Sequence, residues 1–397
     1  MTDLILRNIR PLGAAATDLL VTDGKIAAYG AVQALPGVPE EDGKGAILWP
    51  GLIDAHTHLD KTTWGMGWHE NNRAAVLRER IDFERENRLQ LGLDPHVQSM
   101  RHAIGLAAHG ASHIRSHVDI DPTHGLRLME GLLETREKLR GIIDIELVAF
   151  PQSGLMVMPG TLDLLDAALA NGCEVLGGID PCGIDRDPKG QLDALFALAV
   201  KHGAPIDIHL HETGELGAFT MELIFERVRA TGMQGRFVIS HAFALGMNDH
   251  LRVGRLIEEI AELDIGIATT GAPSATVPSV KRLREAGVRV GAGCDGIRDT
   301  WGPWGLPDMM DRARIIGMKN GVRSDLDLRQ MLELVSQGGA DLMRLEGYGA
   351  APGDAADFTL LQGETIGHAV VQPSLPPLVV KRGRVIAREG LCVVDMP

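Results

Sequence analysis

Two imidazoles at His56 and His58 flank Thr57, and alternate side chains on a strand point the same way, so both can hold one metal ion. With fifteen histidines in the chain, such a pair is a weak signal by itself. Its place after WPGLIDA and before LDK strengthens it. His209, His241 in VISHA and Asp295 in GAGCD stand at the ends of later apolar runs. Imidazole and carboxylate suit zinc or ferrous iron, and four ligands of this kind leave room for a water that the ion acidifies. The expected ligands are His56, His58, His209 and Asp295, around one divalent ion, Zn2+ or Fe2+. Asp295 is also expected to take the water's proton. His241 is assigned to the attacking water or the developing oxyanion rather than to the ion.

Glu212 follows His209 by three residues. Alone it reads as a salt-bridged loop glutamate; behind a metal-type histidine at a strand end it reads as the group that shuttles a proton from ring nitrogen to leaving amine. His211 either lines the pocket or helps bind substrate or a second ion. His117, in RSHVD, either makes a structural hydrogen bond at the mouth of the fold or touches substrate. A second ion normally needs a bridging ligand such as a carbamylated lysine on the fourth strand. That strand reads CEVLGGID and has no lysine, which favours one ion and argues against cyclic-amide ring opening. Four of the five tryptophans, Trp64, Trp68, Trp301 and Trp304, follow the first and last strands and are expected to supply flat walls for a planar ring.

These residues need a frame that brings distant segments to one mouth. Apolar runs occur at 51–58, 111–119, 143–152, 173–180, 205–212, 236–242, 264–271 and 288–295, separated by stretches of helical periodicity such as QLDALFALAVKHG. Eight strand–helix units predict an α/β fold of the (β/α)8 TIM-barrel type, whose chemistry sits at the C-terminal ends of the strands. His56, His58, His117, Gln152, Asp180, His209, Glu212, His241 and Asp295 all fall at such ends. LLVTDGKIAAYG near the start and LVVKRGRVIAREG near the end share a strand–turn–strand pattern. They predict a small β-sandwich domain formed by both termini, residues 1–49 and 350–397, with the barrel spanning 50–349.

A chain of 397 residues that is 45% hydrophobic and 23% charged can bury a sizeable core. A net charge of −14 repels nucleic acid and anionic membranes, so neither is an expected partner. Four dispersed cysteines without a CxxC pair indicate neither a disulfide framework nor a zinc ribbon. With no long apolar run at the N-terminus or elsewhere, the expected location is cytoplasmic.

PGLIDAHTHLDKT, HIRSHVDI, LVAFPQSGL, the HxxE at His209 and Glu212, Ser240-His241 and GCDGIRDTWGPWG occur in this order at the predicted strand ends. Together the sequence resembles bacterial cytosine deaminase and its relatives in the amidohydrolase superfamily over nearly its whole length. The resemblance implies the four metal ligands named above, Glu212 as proton shuttle, His241 beside the attacking water, Gln152 on the ring's carbonyl edge and Trp301 against the ring. It also implies a small heterocyclic substrate and a homo-oligomer. Two positions depart from the pattern: Gly296 stands where a second Asp usually follows the metal Asp, and Asp180-Pro181 replaces the usual IPH. Lost carboxylate leaves space, and Asp180 is expected to supply a replacement contact. The expected reaction is hydrolytic deamination of cytosine or a substituted cytosine-like ring. The alternatives are alkylamine removal from an s-triazine, as in the isopropylammelide hydrolases, and deamination of a purine or pterin. A non-catalytic binding barrel would lack Glu212 or a ligand, and neither is missing.

Overall fold

The computed structural model describes residues 3–70 and 76–394. Eight parallel strands follow one another around a sheet in strict sequence order: β1 (Leu52–Thr57), β2 (Ala111–Asp119), β3 (Asp144–Phe150), β4 (Val175–Ile179), β5 (Ile206–His209), β6 (Phe237–Ser240), β7 (Gly266–Thr269) and β8 (Val290–Ala292). Almost every residue of these strands is buried, as expected of a sheet covered by helices outside and filled with side chains inside. The sheet closes just past β8. The Asp295 amide donates to the His56 carbonyl at 2.8 Å, and Thr57 Oγ1 donates to the Asp295 carbonyl at 2.9 Å. A glycine is required at this seam, because a Cβ on Gly293 would lie 2.2 Å from the His56 carbonyl oxygen.

The covering helices are written into the sequence. In the helix Pro188–His202, Asp187 caps the start by accepting the Gly190 amide at 2.9 Å, and proline fills the first turn. Leu192, Leu195, Phe196 and Ala199 recur at helical spacing and are buried, and Gly203 ends the helix in the left-handed conformation at φ 64°. Each such large apolar side chain contributes about 1.5–3 kcal/mol by leaving water.

Both termini build the second sheet. Nine strands from Leu4–Pro11 to Leu391–Cys392 hydrogen-bond along one connected sheet. The strand Leu4–Pro11 is shared: its first half pairs with Thr17–Thr22 and Glu40–Asp42, a bulge follows between Leu6 and Ile9, and its last residues pair with Ile47–Pro50. The sheet folds over a core of its own that includes Leu4, Leu6, Leu19, Val21, Leu48, Phe358, Leu360 and Val380. Pro50 ends the last N-terminal strand of this sheet and Leu52 opens the barrel. Lys381, fully buried, ties the two parts together: its Nζ donates to the Ser112 carbonyl at 3.1 Å and to Asp144 and Asp357 carboxylates at 2.7 Å each. Among the described residues, no helix is long and apolar enough to cross a membrane.

Candidate metal centre and active site

At the C-terminal mouth of the barrel, β1 delivers His56 and, one residue past its end, His58; β5 ends in His209; Asp295 follows β8. His58 Nε2 and His209 Nε2 stand 3.3 Å apart, and Asp295 Oδ1 lies 3.4 Å from His58 Nε2 and 3.8 Å from His56 Nε2. His56, His58 and His209 form one group whose ligand atoms converge, and His56, His241 and Asp295 form an overlapping one.

The donor set fits a divalent cation. Burial pushes the His56 ring down to about 3 and lowers His58, His209 and His241 as well, so these imidazoles are neutral and keep lone pairs. His56 is held in one tautomer: Ser240 Oγ donates to Asp207 Oδ1 at 2.6 Å and accepts from His56 Nδ1–H at 2.9 Å. That leaves His56 Nε2 buried, facing its neighbours and without a hydrogen-bond partner. Such a bond to the far nitrogen orients a metal-binding histidine and raises its basicity. Arg115 in turn fixes Asp207, Nη1 to Oδ2 at 3.1 Å.

The pocket in front of this group is lined by His58, Lys61, Gln152, Ile179, His209, His211, Asp295, Asp299 and Trp301. It encloses about 30 Å³. Trp301 closes one side, packed on Ile81, Phe150, Ile179 and Ile184, with its indole N–H unpartnered. Gln152 is oriented by its neighbours: Lys61 can only donate, so the 2.9 Å contact from Nζ fixes Oε1, and Nε2 donates to Glu84 Oε1 at 3.5 Å with its second N–H left over.

Several expected residues sit elsewhere. Asp180 does not touch the pocket: its Oδ1 accepts the amides of His211 at 2.7 Å and Glu212 at 3.3 Å, and Oδ2 accepts from His211 Nδ1 at 2.8 Å. It braces His211, whose other nitrogen is left to the pocket. His117 lies beneath the site, buried, its ring centre 4.4 Å from that of His56 and 4.5 Å from that of His209. It is not among the residues that line the pocket. Glu212 is buried beside the pocket with Oε1 accepting the amides of Cys182 and Gly183 at 2.8 Å each and Oε2 accepting from Thr220 Oγ1. Only Trp301 of the four tryptophans walls the pocket. Trp68 and Trp304 are exposed, at 78% and 82%, and Trp64 packs outside the barrel against Gly105.

Sequence reasoning passed over Lys61 and Asp299, though both lie in segments that carry the resemblance, LDKT and GIRDTW. A lysine three residues beyond His58, on the same mouth, was the available signal. Lys61 belongs to a buried ionic cluster: it pairs with Glu84 at 3.3 Å and Asp119 at 3.1 Å, while Arg88 pairs with Asp60 at 2.9 Å, Glu84 at 3.0 Å and Asp119 at 2.9 Å.

An amidohydrolase family model matches residues 40–387. The chain belongs to the amidohydrolase family. Members of this family are metal-dependent hydrolases acting on carbon–nitrogen bonds. The chain is 30% identical to the N-isopropylammelide isopropyl amidohydrolase of Pseudomonas sp. (strain ADP), over 98% of each chain. The crystal structure of an N-isopropylammelide isopropylaminohydrolase from Burkholderia multivorans superposes with a TM-score of 0.96 at 44% identity, covering 99% of this chain and 100% of that one. A 5-methylcytosine deaminase from Klebsiella pneumoniae, liganded with 5-fluorocytosine, superposes with a TM-score of 0.85 at 26% identity, covering 98% and 99%. This amidohydrolase therefore sits among hydrolytic deaminases and amidohydrolases of small N-heterocycles.

Proposed function

We propose that this amidohydrolase uses one divalent ion, zinc or iron, to replace the exocyclic alkylamino group of a hydroxylated s-triazine by oxygen, releasing the alkylamine. The observation that carries the reading is the convergence of His56, His58, His209 and Asp295 in front of a pocket walled by Gln152 and Trp301. The leaving group follows the 44%-identical isopropylaminohydrolase structure. Deamination of a cytosine-like ring is the second reading, favoured by the likeness to the 5-methylcytosine deaminase. Both are the same chemistry: water adds at the amine-bearing carbon, a C–O bond forms, the C–N bond breaks, and the nitrogen leaves with a proton from the water.

An ion held by the four ligands supplies a water acidified to near-neutral pKa. The chain does the rest. Asp295 would take the proton of such a water, and His241, its ring centre 4.8 Å from that of His56, lies in the same group. Gln152 Nε2 donates to the ring carbonyl. Trp301 covers the ring face and excludes bulk solvent. His211, clamped through Nδ1 by Asp180, turns its Nε2 toward the leaving nitrogen. Glu212 carries the proton from ring to leaving amine once Oε2 gives up Thr220 as the ring enters.

Metal-loaded enzyme is to be tested with N-alkylammelides, aminotriazines, cytosines, pterins and purines, assaying alkylamine and ammonia separately. Alkylamine release is expected; ammonia alone selects the deaminase reading, and turnover only of a cyclic amide defeats both. Glu212→Gln is expected to retain its metal and lose turnover about 10²- to 10⁴-fold. Near-normal turnover would leave Glu212 as a brace for the Cys182–Gly183 backbone only.

A further inference from the structure

Asp299 is buried at 7% exposure and lines the pocket together with Trp301 and Asp295. Its Oδ1 accepts the amides of Trp301 at 2.7 Å and Gly302 at 3.0 Å, which fixes the plane of the carboxylate. Oδ2 takes no hydrogen bond from the described residues. It points to Gly296, where an added Cβ would fall 1.8 Å from Oδ2 and 2.9 Å from Cγ. No atom outside Asp299 is among the three nearest to that Cβ, and Gly296 does not have a left-handed φ. The backbone at 296 would therefore accept a side chain; only the Asp299 carboxylate forbids it. Burial, reinforced by the charge of Glu84, pushes the Asp299 carboxyl up to about 7, the mark of a carboxyl that its surroundings leave short of partners.

In the same pocket lining, Gln152 Nε2 gives one N–H to Glu84 Oε1 at 3.5 Å and keeps a second to offer. A donor and an acceptor lining one pocket match a ring edge that carries C=O beside N–H. We propose that Asp299 Oδ2 accepts the hydrogen bond of that ring N–H, that the site thereby selects heterocycles with a lactam edge, and that residue 296 is glycine to make room for this carboxylate. The lost second carboxylate noted in the sequence is thus supplied from three residues further on. Asp299 is a specificity-determining residue for the reaction, and the inference rests on the reading given under Proposed function.

The test compares wild type, Asp299→Asn and Gly296→Ala, each metal-loaded, with metal content and Tm recorded. One readout is calorimetric binding of the hydroxylated product ring; the other is kcat and KM for a lactam substrate and its analogue methylated on the ring nitrogen. Asp299→Asn keeps an oxygen for the Trp301 and Gly302 amides but puts an NH2 where the ring N–H must bond. It is expected to weaken product binding about 10- to 100-fold, to raise KM more than it lowers kcat, and to abolish the preference for N–H over N-methyl. Gly296→Ala, which displaces the same oxygen, is expected to reproduce that pattern at unchanged metal content. Wild-type turnover with the N–H preference intact in Asp299→Asn, or product binding unaltered in both variants, overturns the assignment of Asp299 alone. A wild-type enzyme that neither binds nor turns over any lactam ring overturns the proposed function and this inference together.

Discussion

Replacing Arg88 by methionine tests the buried cluster behind the pocket. Arg88 is 1% exposed and bonds Asp60, Glu84 and Asp119, while Lys61 bonds Glu84 and Asp119. Three carboxylates face two cations, one negative charge in excess at a buried site. The excess is relieved by a proton: burial, with Asp60 and Glu84 beside it, pushes the Asp119 carboxyl up to about 8, while Asp60 and Glu84 are lowered and stay ionised. Arg88→Met leaves three carboxylates around one ammonium. Breaking a buried pair in this way costs about 3–5 kcal/mol. A chain of 397 residues has a melting entropy of about 0.8 kcal/mol per K, so Tm should fall by about 4–6 °C at pH 7.5. The sign with pH follows from Asp119. Its folded pKa lies above the unfolded value of about 4, so its contribution is complete below pH 4 and is lost as pH rises through 8. The variant needs a second proton in the cluster, so its deficit should shrink at pH 5.5 and widen at pH 8.5. Scanning calorimetry at the three pH values, with Glu84→Gln and the double variant, reads both effects. Glu84→Gln restores the charge count of the cluster and should recover part of the loss in the Arg88→Met background. A Tm within 1–2 °C of wild type at every pH, or no recovery in the double variant, would refute the charge-count reasoning.

Ser240→Ala removes the group that holds the His56 tautomer and leaves Asp207 with one fewer donor. Metal affinity, measured by competition with a chromophoric chelator, should weaken about 10- to 100-fold with the fold retained; unchanged affinity would count against the relay. Lys381→Met should lower stability by about 3–5 kcal/mol, because Asp144 and Asp357 lose a buried partner far from the mouth, while kcat per metal-loaded molecule stays as in wild type. A stable variant, or one with a normal Tm and lost activity, would contradict that division.

The barrel was legible because its strands are short apolar runs at regular intervals, most of them ending in a polar residue. His56, His58, His209 and Asp295 could be picked out because a strand end leaves few directions in which a side chain can point. Side chains that only hold others were not legible. Asp180 stands at a strand end like a ligand, yet its acceptors are spent on the His211 ring and two amides. His117 has the right type and position, yet its ring packs against those of His56 and His209 outside the pocket lining. The tryptophans near positions 64 and 304 share the segments of the site, but whether a loop side chain turns inward depends on contacts made across the fold. Gly296 reads from the sequence as lost polarity. That the space was already taken by Asp299 is a distance of 1.8 Å, which no spacing along the chain encodes.

The seam where the Asp295 amide meets the His56 carbonyl joins the first and last strands of the barrel and also two of the expected ligands. Assembly of the centre is therefore the last event of ring closure, separated from its start by 239 residues of chain (295 minus 56). A nascent chain that has not yet released β8 from the ribosome holds at most the three-histidine part of the site. Tight ion binding would then report a completed ring, and cation supply during synthesis would act on the yield of finished molecules rather than on the early steps of collapse.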